Sequence, residues 1–442
     1  MEALMHFVWE HGLAGDSLVA TAGAKSISVI DPGRHNLDAG PDFFNAKVVI
    51  DGRLWAGDVE IHYRAGDWYR HHHDADPAYS SVILHVVAVD DARVSRPDGQ
   101  PIPQAVLCCN PNFRRDYNSL LSTGLRELPC RRYLPSIHSL QITSWMAAMG
   151  FERLQQKSDR IIDHLTASNG DWQQAAYLTM ARALGFGLNS DPMTRLAAAT
   201  PLNLLHKHAD NVDALEALLL GQAGFLAGAD PEVPYIALMQ REYRFYRNKF
   251  GLAPIENAGW RVSRTRPGNH PQRRIAMLAA MVCGNFNFVA DLLEAGDDLG
   301  AVSDLFLLKL SPYWATHYSL DHFPRPLPDG TLPLLPLLGR QAIATLVINV
   351  AAPLLMAYGR THNDSALTDR AVSLLEHLPA ESNRIVNTFV GAGIPCPDAF
   401  TSQAMIRLNE AYCSRRDCLH CRLGNRILQR SAVLRPTTVS PI

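Results

Sequence analysis

The spacing of apolar residues changes once along this chain, and this change limits the folds that it can adopt. Within the first hundred residues, short runs alternate apolar and polar positions, which is the period of a β-strand. From Ser139 onward, apolar residues recur three and four positions apart, which is the period of an α-helix. The sequence therefore predicts an α+β fold, with a small N-terminal α/β domain followed by a mainly α-helical body.

The N-terminal region predicts a helix, three strands, a short helix and a last strand, in that order. Asp51-Gly52 lies between the second and third strands and is typical of a two-residue hairpin turn. The predicted helices cover residues 3–13 and 68–71, and the predicted strands cover residues 26–30, 46–50, 54–62 and 81–89. In the helical body, the clearest helical spacing covers residues 145–165, 172–184, 212–220 and 272–283.

The chain is long enough for several domains, because 442 residues exceed the size at which one hydrophobic core usually keeps growing. A proline-rich stretch over residues 323–338 separates the last helices from the middle of the chain. We predict an α/β domain at residues 1–112, a helical domain at 139–322, and a helical domain at 339–430 that ends in a cysteine cluster.

The composition favours a soluble protein, since 47% of the residues are hydrophobic and 19% are charged. The most apolar run, residues 342–358, is interrupted by Asn349 and Pro353 and is short for a membrane span, so we expect a buried helix and no membrane. Eight cysteines without a secretory signal favour a reducing compartment, which places the protein in the cytoplasm. The sequence leaves the oligomeric state open.

Four cysteines near the C-terminus have the spacing of metal ligands. The last three form a Cys-x4-Cys-x2-Cys pattern, in which the two-residue gap lets two thiolates bind one metal from a tight turn. Zinc and iron–sulfur clusters both take four such soft ligands, so the sequence predicts a clasp holding one or the other. The alternative is a set of half-buried thiols without metal, and His420 is an alternative fourth ligand. The predicted ligands are Cys396, Cys413, Cys418 and Cys421.

Acidic residues cluster on two neighbouring predicted strands. Asp42 stands just before one strand, and Asp58, Glu60 and His62 share one face of the next, because alternate residues of a strand point the same way. A hairpin closed at Asp51-Gly52 brings the start of the first strand near the end of the second. We therefore expect Asp42 to approach Glu60; the alternative is a solvated acidic face without a ligand.

Several short phrases of the sequence form a recognisable set. They are Asp38-Ala39-Gly40-Pro41-Asp42-Phe43, Gly57-Asp58-Val59-Glu60-Ile61-His62, Val82-Ile83-Leu84-His85-Val86-Val87, Arg266-Pro267-Gly268-Asn269-His270-Pro271 and the closing cysteine pattern. Together they resemble a bacterial family known only as domain of unknown function 2851, and the likeness extends over nearly the whole chain. That resemblance implies no activity.

Pro41-Asp42 followed by Glu60-Ile61-His62 also resembles the PD-(D/E)xK nucleases, and the predicted element order matches the core of their fold. The resemblance implies that Asp42 and Glu60 bind Mg²⁺ for the hydrolysis of DNA or RNA, with Asp58 assisting and His62 orienting water or stabilising charge. His62 stands where those nucleases carry lysine, so a fixed positive charge is missing. Lys47 replaces it only if a bulge moves its side chain to the other face of its strand.

A histidine-rich loop offers a second kind of metal site. Imidazole and carboxylate together suit zinc, manganese or iron, as in a metal-dependent hydrolase of small molecules. The alternative is a polar turn followed by a buried strand histidine, in which no metal binds. The candidate ligands are His62, His71, His73 and His85, and the loop also carries His72, Asp74 and Asp76.

Residues 240–275 carry nine arginines or lysines against two glutamates, although the formal charge of the whole chain is only −2. Guanidinium groups bind phosphate and aromatic rings offer stacking surfaces, so this segment is the candidate contact for DNA or RNA. An equally weighted alternative makes Tyr243, Phe245 and Tyr246 core residues and the arginines a solvated face. The candidate contacts are Arg244, Arg247, Arg261, Arg264 and Arg266.

Three hypotheses follow for function. The leading one is a Mg²⁺-dependent nuclease that acts on DNA or RNA. The second is a non-catalytic nucleic-acid-binding or scaffold protein that keeps the nuclease fold without the lysine. The third is a histidine-metal hydrolase of a small molecule.

Overall fold

The computed structural model describes residues 1–13, 18–22, 24, 26–36, 38–109, 111–122, 124, 127–256, 259–263, 265, 267–284, 286–433 and 440–441. These residues form two compact units. The first comprises Met1–Trp145, Asn387–Pro395 and Leu408–Ile442, and the second comprises Met146–Val386 and Cys396–Arg407. The division into domains at 1–112, 139–322 and 339–430 stays a prediction, and Cys413, Cys418 and Cys421 belong to the unit that holds the N-terminal sheet.

The strands lie in the first unit and form one mixed sheet. Their order is β1-β7-β6-β5-β4-β2, with β3 paired to β4 and β8 paired to β7. The β5–β6 and β6–β7 pairs are parallel, whereas the other pairs are antiparallel. The strands are β1 (Leu18–Ala22), β2 (Ile27–Asp31), β3 (Arg34–His35), β4 (Phe43–Ile50), β5 (Arg53–Arg64), β6 (Val82–Val89), β7 (Gln104–Cys109) and β8 (Ser440–Pro441).

Helices make up most of the remaining described chain, which confirms the predicted α+β class. In chain order they are α1 (Glu2–Glu10), α2 (Asp67–Arg70), α3 (Pro111–Ser122), α4 (Ser139–Ala167), α5 (Trp172–Leu184), α6 (Ser190–Ala199), α7 (Leu202–Leu205), α8 (Val212–Gln222), α9 (Pro234–Phe250), α10 (Pro271–Val282), α11 (Phe288–Glu294), α12 (Leu299–Asp304), α13 (Pro312–Thr316), α14 (Arg340–Leu346), α15 (Ala352–His362), α16 (Ser365–Glu376), α17 (Arg384–Gly391), α18 (Ala399–Leu408) and α19 (Arg422–Val433).

The predicted order of the N-terminal elements is confirmed by α1, β2, β4, β5, α2 and β6. Asp51 and Gly52 both have positive φ, and Ile50 pairs directly with Arg53, as in a two-residue hairpin. The sequence analysis missed β1, β3, β7 and α3. β1 and β3 are short strands at the margin of the sheet, where few side chains are buried and alternation is weak.

A β-bulge in β4 changes which side chains share a face with Asp42. Phe43 pairs with Val59, but Ala46 already pairs with Gly57, so two residues of β4 lie opposite Asp58. Asn45 within this bulge has a φ of +56°, a left-handed value that asparagine tolerates better than most residues. Lys47, opposite Ala56, is thereby moved to the side of the sheet that Asp42 and Glu60 share.

The core of the first unit forms between the sheet and α1. Helix α1 buries Leu4, Phe7 and Trp9, and the Trp9 indole N–H donates to the Pro32 carbonyl at 3.0 Å. Strand β6 is apolar on both faces except at His85, as expected for a strand with parallel neighbours on both sides. A histidine that is fully buried in such a strand needs polar partners, which β5 supplies.

The second unit is helical in its described residues, and its core is lined by α5, α8, α10 and the helical segment Arg340–His362. That segment is long and apolar enough to cross a membrane, but 67% of its most apolar window is buried inside the protein. Such burial is typical of the core helix of a soluble protein, and it confirms the buried helix predicted for residues 342–358.

Candidate functional site

Asp42 and Glu60 meet where β4 begins beside β5. The Asp42 backbone N–H donates to Glu60 Oε2 at 3.1 Å, and the Ile61 N–H donates to Asp42 Oδ2 at 2.9 Å. The antiparallel pairing of Phe43 with Val59 explains this arrangement, because the next pair along the two strands is Asp42 with Glu60. The structure thus brings together the two carboxylates on which the predicted magnesium site depends.

The two carboxylates differ in their access to solvent. The Glu60 side chain is 5% exposed, whereas that of Asp42 is 23% exposed. Burial raises the pKa of Glu60 to about 7; the hydrogen bond from His73 opposes this shift, and the negative charge of Asp42 adds to it. A buried carboxyl group with a pKa near neutrality exchanges its proton readily for a cation.

Imidazole rings surround the other oxygen of Glu60. His62 Nε2 lies 3.3 Å and His73 Nε2 lies 3.4 Å from Glu60 Oε1, and His71 Nδ1 lies 3.2 Å from His62 Nε2. Among the described residues, His62, His71 and His73 form a group whose ligand atoms all lie within 4.8 Å of one another. We call Asp42, Glu60, His62, His71 and His73 the acid–histidine site.

His85 supports this site from β6. Its Nε2 lies 2.9 Å from His62 Nδ1. Burial lowers the pKa of His62 to about 4, and the neighbouring His73 and His71 lower it further; burial also lowers the pKa of His85 far below its usual value. Both rings are therefore neutral at pH 7. When the His62 Nδ1–H donates to His85, the lone pair of His62 Nε2 faces Glu60 and His71, which is the orientation of a metal ligand.

His6 on α1 also contacts the acid–histidine site, and the sequence analysis did not identify it. Its Nε2 lies 3.2 Å from Asp42 Oδ2. Burial by itself would lower the pKa of His6, but the contact with Asp42 and the Asp42 charge outweigh it, so the pKa is raised. His6 shares α1 with buried apolar residues, and only the packing of the helix on the sheet reveals which polar group it reaches.

Asp58 and Lys47 do not join the acid–histidine site. Asp58 Oδ1 accepts the Asn45 N–H at 3.0 Å, and Asp58 Oδ2 accepts the Ser81 hydroxyl at 2.5 Å. Lys47 lies on the same side of the sheet because of the bulge, but its side chain is exposed and no contact between it and the acid–histidine site is found in the described chain. Within the described residues, no contact with the acid–histidine site supports the assisting role expected of Asp58.

The predicted cysteine ligands are divided between the two units. Cys413, Cys418 and Cys421 belong to the first unit and Cys396 to the second. Burial raises the pKa of Cys396 to about 11, with smaller effects from Asp398 and Glu381, and its sulfur lies 3.8 Å from the Asp398 carbonyl oxygen. His420, the alternative ligand, is 67% exposed and pairs with Asp417 at 2.5 Å.

Cys130 is the fourth thiol near the three C-terminal cysteines. Burial raises the pKa of Cys130 to about 12, and the charges of Cys421 and Cys418 raise it further. Burial also raises the pKa of Cys413 well above its usual value, with additional effects from Cys421, Cys130 and Cys418. Arg416, between Cys413 and Cys418, also donates to the Gly124 carbonyl oxygen, in the stretch that leads to Cys130. The sequence analysis missed Cys130 because it lies far upstream and has no spacing motif of its own.

Two of the predicted nucleic-acid contacts lie on α9 in the second unit. Arg244 and Arg247 are exposed, and so is Phe245, at 58%, whereas Tyr243 and Tyr246 are buried. The two tyrosines are therefore core residues, but the arginines and Phe245 leave an exposed basic and aromatic stripe. Arg261 is also exposed, while Arg264 and Arg266 lie outside the described residues.

Two other cations of this basic segment serve the fold instead. The Arg273 guanidinium is buried and donates to the carbonyl oxygens of Trp314 and Pro336, at 3.2 and 2.8 Å. Arg274 is also buried and bonds Asn269 at 2.5 Å. The charge available to a ligand is therefore smaller than the count of basic residues predicts.

The family described as protein of unknown function DUF2851 matches residues 2–384, and the chain belongs to this family. This result confirms the resemblance noted from the sequence phrases. The matched region contains Asp42, Glu60, His62 and Cys130 and ends before Cys413. No curated protein and no solved structure matches the chain.

Proposed function

We propose that the first unit is a divalent-metal-dependent hydrolase of phosphodiester bonds in DNA or RNA, with Asp42 and Glu60 as its metal ligands. The observation that carries this proposal is the meeting of these two carboxylates on adjoining strands, linked by the Asp42 N–H bond to Glu60 Oε2 at 3.1 Å. Two adjacent carboxylates repel each other when both are ionised, and a divalent cation between them removes that cost.

The donor set fits a hard or borderline divalent ion. The carboxylate oxygens suit Mg²⁺, and the His62, His71 and His73 rings add nitrogen donors that favour Mn²⁺ or Fe²⁺ over Mg²⁺. When bound, such an ion supplies an activated water and neutralises negative charge on the phosphate. Mg²⁺ remains the expected ion for a site made of carboxylates, and Mn²⁺ is the informative comparison.

The histidines have separate tasks in this proposal. His62 is neutral at pH 7, because its pKa is about 4, so it does not provide the fixed charge of the missing lysine. His6 is the better source of positive charge, since its pKa is raised beside Asp42. His85 orients His62 through the 2.9 Å contact of the two rings.

The exposed stripe of Arg244, Phe245 and Arg247 is the proposed contact with the nucleic acid, together with Arg261. Arginine binds phosphate oxygens and an exposed ring stacks on bases, so this combination suits single-stranded or partly opened substrates. A cytoplasmic location fits the free thiols of the described cysteines.

The test is cleavage of a labelled panel of single- and double-stranded DNA and RNA, with Mg²⁺, with Mn²⁺ and with EDTA. We expect cleavage that needs the ion and is lost in Asp42→Asn and Glu60→Gln, both of which keep an oxygen for the backbone bonds described above. Asp58→Asn is the matched control, because Asp58 lies on the same strand but bonds Asn45 and Ser81. Binding without cleavage under every condition would instead support the non-catalytic hypothesis.

A small-molecule hydrolase is the second candidate, and the grouping of His62, His71 and His73 favours it. Assays of the same purified proteins with a phosphodiester and a phosphomonoester of nitrophenol distinguish the nuclease from the small-molecule hydrolase. Turnover of the monoester alone, lost in His71→Ala and retained in Arg247→Ala, would favour the second candidate.

A further inference from the structure

Four thiols of the first unit converge outside the acid–histidine site. They are free, and Cys130, Cys418 and Cys421 are buried, while Cys413 is partly exposed. Arg416 and Arg430 of the C-terminal segment donate to carbonyl oxygens on either side of Cys130, those of Gly124 and Ser136, so the set is brought together although its members come from two distant stretches of chain. We call Cys130, Cys413, Cys418 and Cys421 the four-thiol cluster.

The backbone around this cluster is shaped to hold a sulfur ligand. Cys421 directly precedes α19, a helix of 12 residues, and its sulfur accepts the N–H groups of Leu423 and Gly424 in the first helical turn. N–H groups at a helix start stabilise a thiolate. Gly424 lets the Cys418 carbonyl oxygen lie against the start of α19, because a Cβ at position 424 would collide with that oxygen.

The elements that carry the cysteines are joined by packing and by hydrogen bonds within the first unit. Helix α19 packs against α3, and Asn425 Nδ2 lies 2.8 Å from His11 Nε2 beyond the end of α1. Arg416, between Cys413 and Cys418, donates to the Gly124 carbonyl oxygen at 2.9 Å. The C-terminal segment therefore has a fixed position against the stretch that contains Cys130.

We propose that Cys130, Cys413, Cys418 and Cys421 bind an iron–sulfur cluster, with Cys130 in the place that the sequence pattern assigned to Cys396. Zinc is the alternative for four cysteines, but zinc–sulfur bonds of about 2.3 Å hold tetrahedral sulfurs only about 3.8 Å apart. Among the described residues, no three of the four sulfurs lie within 4.8 Å of one another. Several irons and sulfides between the thiolates need this wider spacing.

The test is the metal content of full-length protein purified without oxygen. We expect a brown protein that contains iron and acid-labile sulfide in similar amounts and little zinc. Cys396→Ser is the matched control and keeps both, whereas Cys130→Ser and Cys413→Ser reduce iron and sulfide to background.

A second measurement on the unmutated protein covers the case in which the variants fail to fold. Alkylation followed by mass spectrometry is expected to label Cys108, Cys283 and Cys396, which are partly exposed. The thiols of the four-thiol cluster are expected to be protected from alkylation until a chelator removes the iron. Zinc in place of iron, iron retained in Cys130→Ser, iron lost in Cys396→Ser, or immediate labelling of the four thiols would each overturn the proposal.

Discussion

The acid–histidine site and the four-thiol cluster lie in the same unit but are assembled in different ways. The first draws its residues from positions 42–73, on two adjoining strands and the turn that follows them. The second joins Cys130 to three cysteines between residues 413 and 421. A site made by sheet register can be located from local patterns, whereas a site made by docking of a distant segment cannot.

The largest expected effect concerns the four-thiol cluster. Cys130→Ser removes one proposed ligand and leaves three thiols without a complete ligand set, so α19 loses one of the links that hold it on the first unit. We expect rapid proteolysis within residues 408–433 and a loss of several kcal/mol of local stability, since binding of a structural metal contributes directly to folding. Limited proteolysis with mass spectrometry checks this. Equal resistance of Cys130→Ser and Cys396→Ser would contradict it.

The next effect concerns the chemistry of the acid–histidine site. Asp42→Asn and Glu60→Gln are expected to lower the cleavage rate at least about 10²-fold, the scale on which loss of a preorganised charge acts. Cys396→Ser should leave the rate unchanged, because Cys396 lies in the other unit and contacts Asp398. Single-turnover cleavage with Mn²⁺ measures the difference. Full activity in both acid variants would remove the hydrolase proposal.

The raised pKa of Glu60 predicts a pH effect with a definite sign. The folded protein binds the Glu60 proton with a pKa of about 7 against an ordinary 4.5, so ionisation destabilises it progressively as pH rises from 4.5 through 7. The effect amounts to about 3 kcal/mol. Relative to the unmutated protein, Glu60→Gln should therefore be more stable at pH 8 than at pH 5.

Urea unfolding in EDTA at the two pH values tests this prediction. The lowered pKa of His62 makes the folded protein less stable as pH falls below 6.5, which is opposite to the effect of Glu60. Both proteins contain His62, so its contribution to stability largely cancels in the comparison. Asp58→Asn is the control and should follow the unmutated protein. The same pH dependence in Glu60→Gln would show that the carboxyl group is not protonated at neutrality.

A smaller effect is expected where the chain passes close to the four-thiol cluster. Gly424→Ala places a methyl group against the Cys418 carbonyl oxygen and should cost about 1–3 kcal/mol, the usual scale for overpacking. Gly391→Ala, at a helical glycine with open space around it, is the matched control and should be neutral or slightly stabilising. Thermal unfolding measures the stability of the two variants. Equal stability of Gly424→Ala and Gly391→Ala would mean that the turn at Cys418 can relax around the added methyl group.

The smallest effect is expected at Lys47. The bulge at Asn45 turns this residue to the side of the sheet that Asp42 and Glu60 occupy, yet its side chain is exposed. Lys47→Ala should change stability by less than about 0.5 kcal/mol and leave cleavage intact. A marked fall in cleavage rate would instead show that Lys47 reaches the substrate and replaces the missing lysine.

Sequence patterns predicted much of the first unit and the leading pair of its site. The hairpin at Asp51-Gly52 fixes the register of β4 and β5 near the turn, and the bulge at Asn45 then shifts that register by one residue, so that Asp42 lies beside Glu60. His6 could not be assigned, because helical spacing does not show which strand end the helix covers. The bulge at Asn45 has no clear signal in the alternation of β4, so the side on which Lys47 lies was also open.

The amino-acid sequence alone determines three features of the protein: the α+β class, the position of the hairpin and the presence of clustered thiols. These follow from periodicity, turn chemistry and spacing, which act over a few neighbouring residues. Only the tertiary structure assigns Cys396 to a different unit from the other three cysteines and joins their segment to the stretch that contains Cys130, and only it places imidazole rings against Glu60. Contacts between distant parts of a chain arise from packing of complete elements, and local patterns carry no record of them.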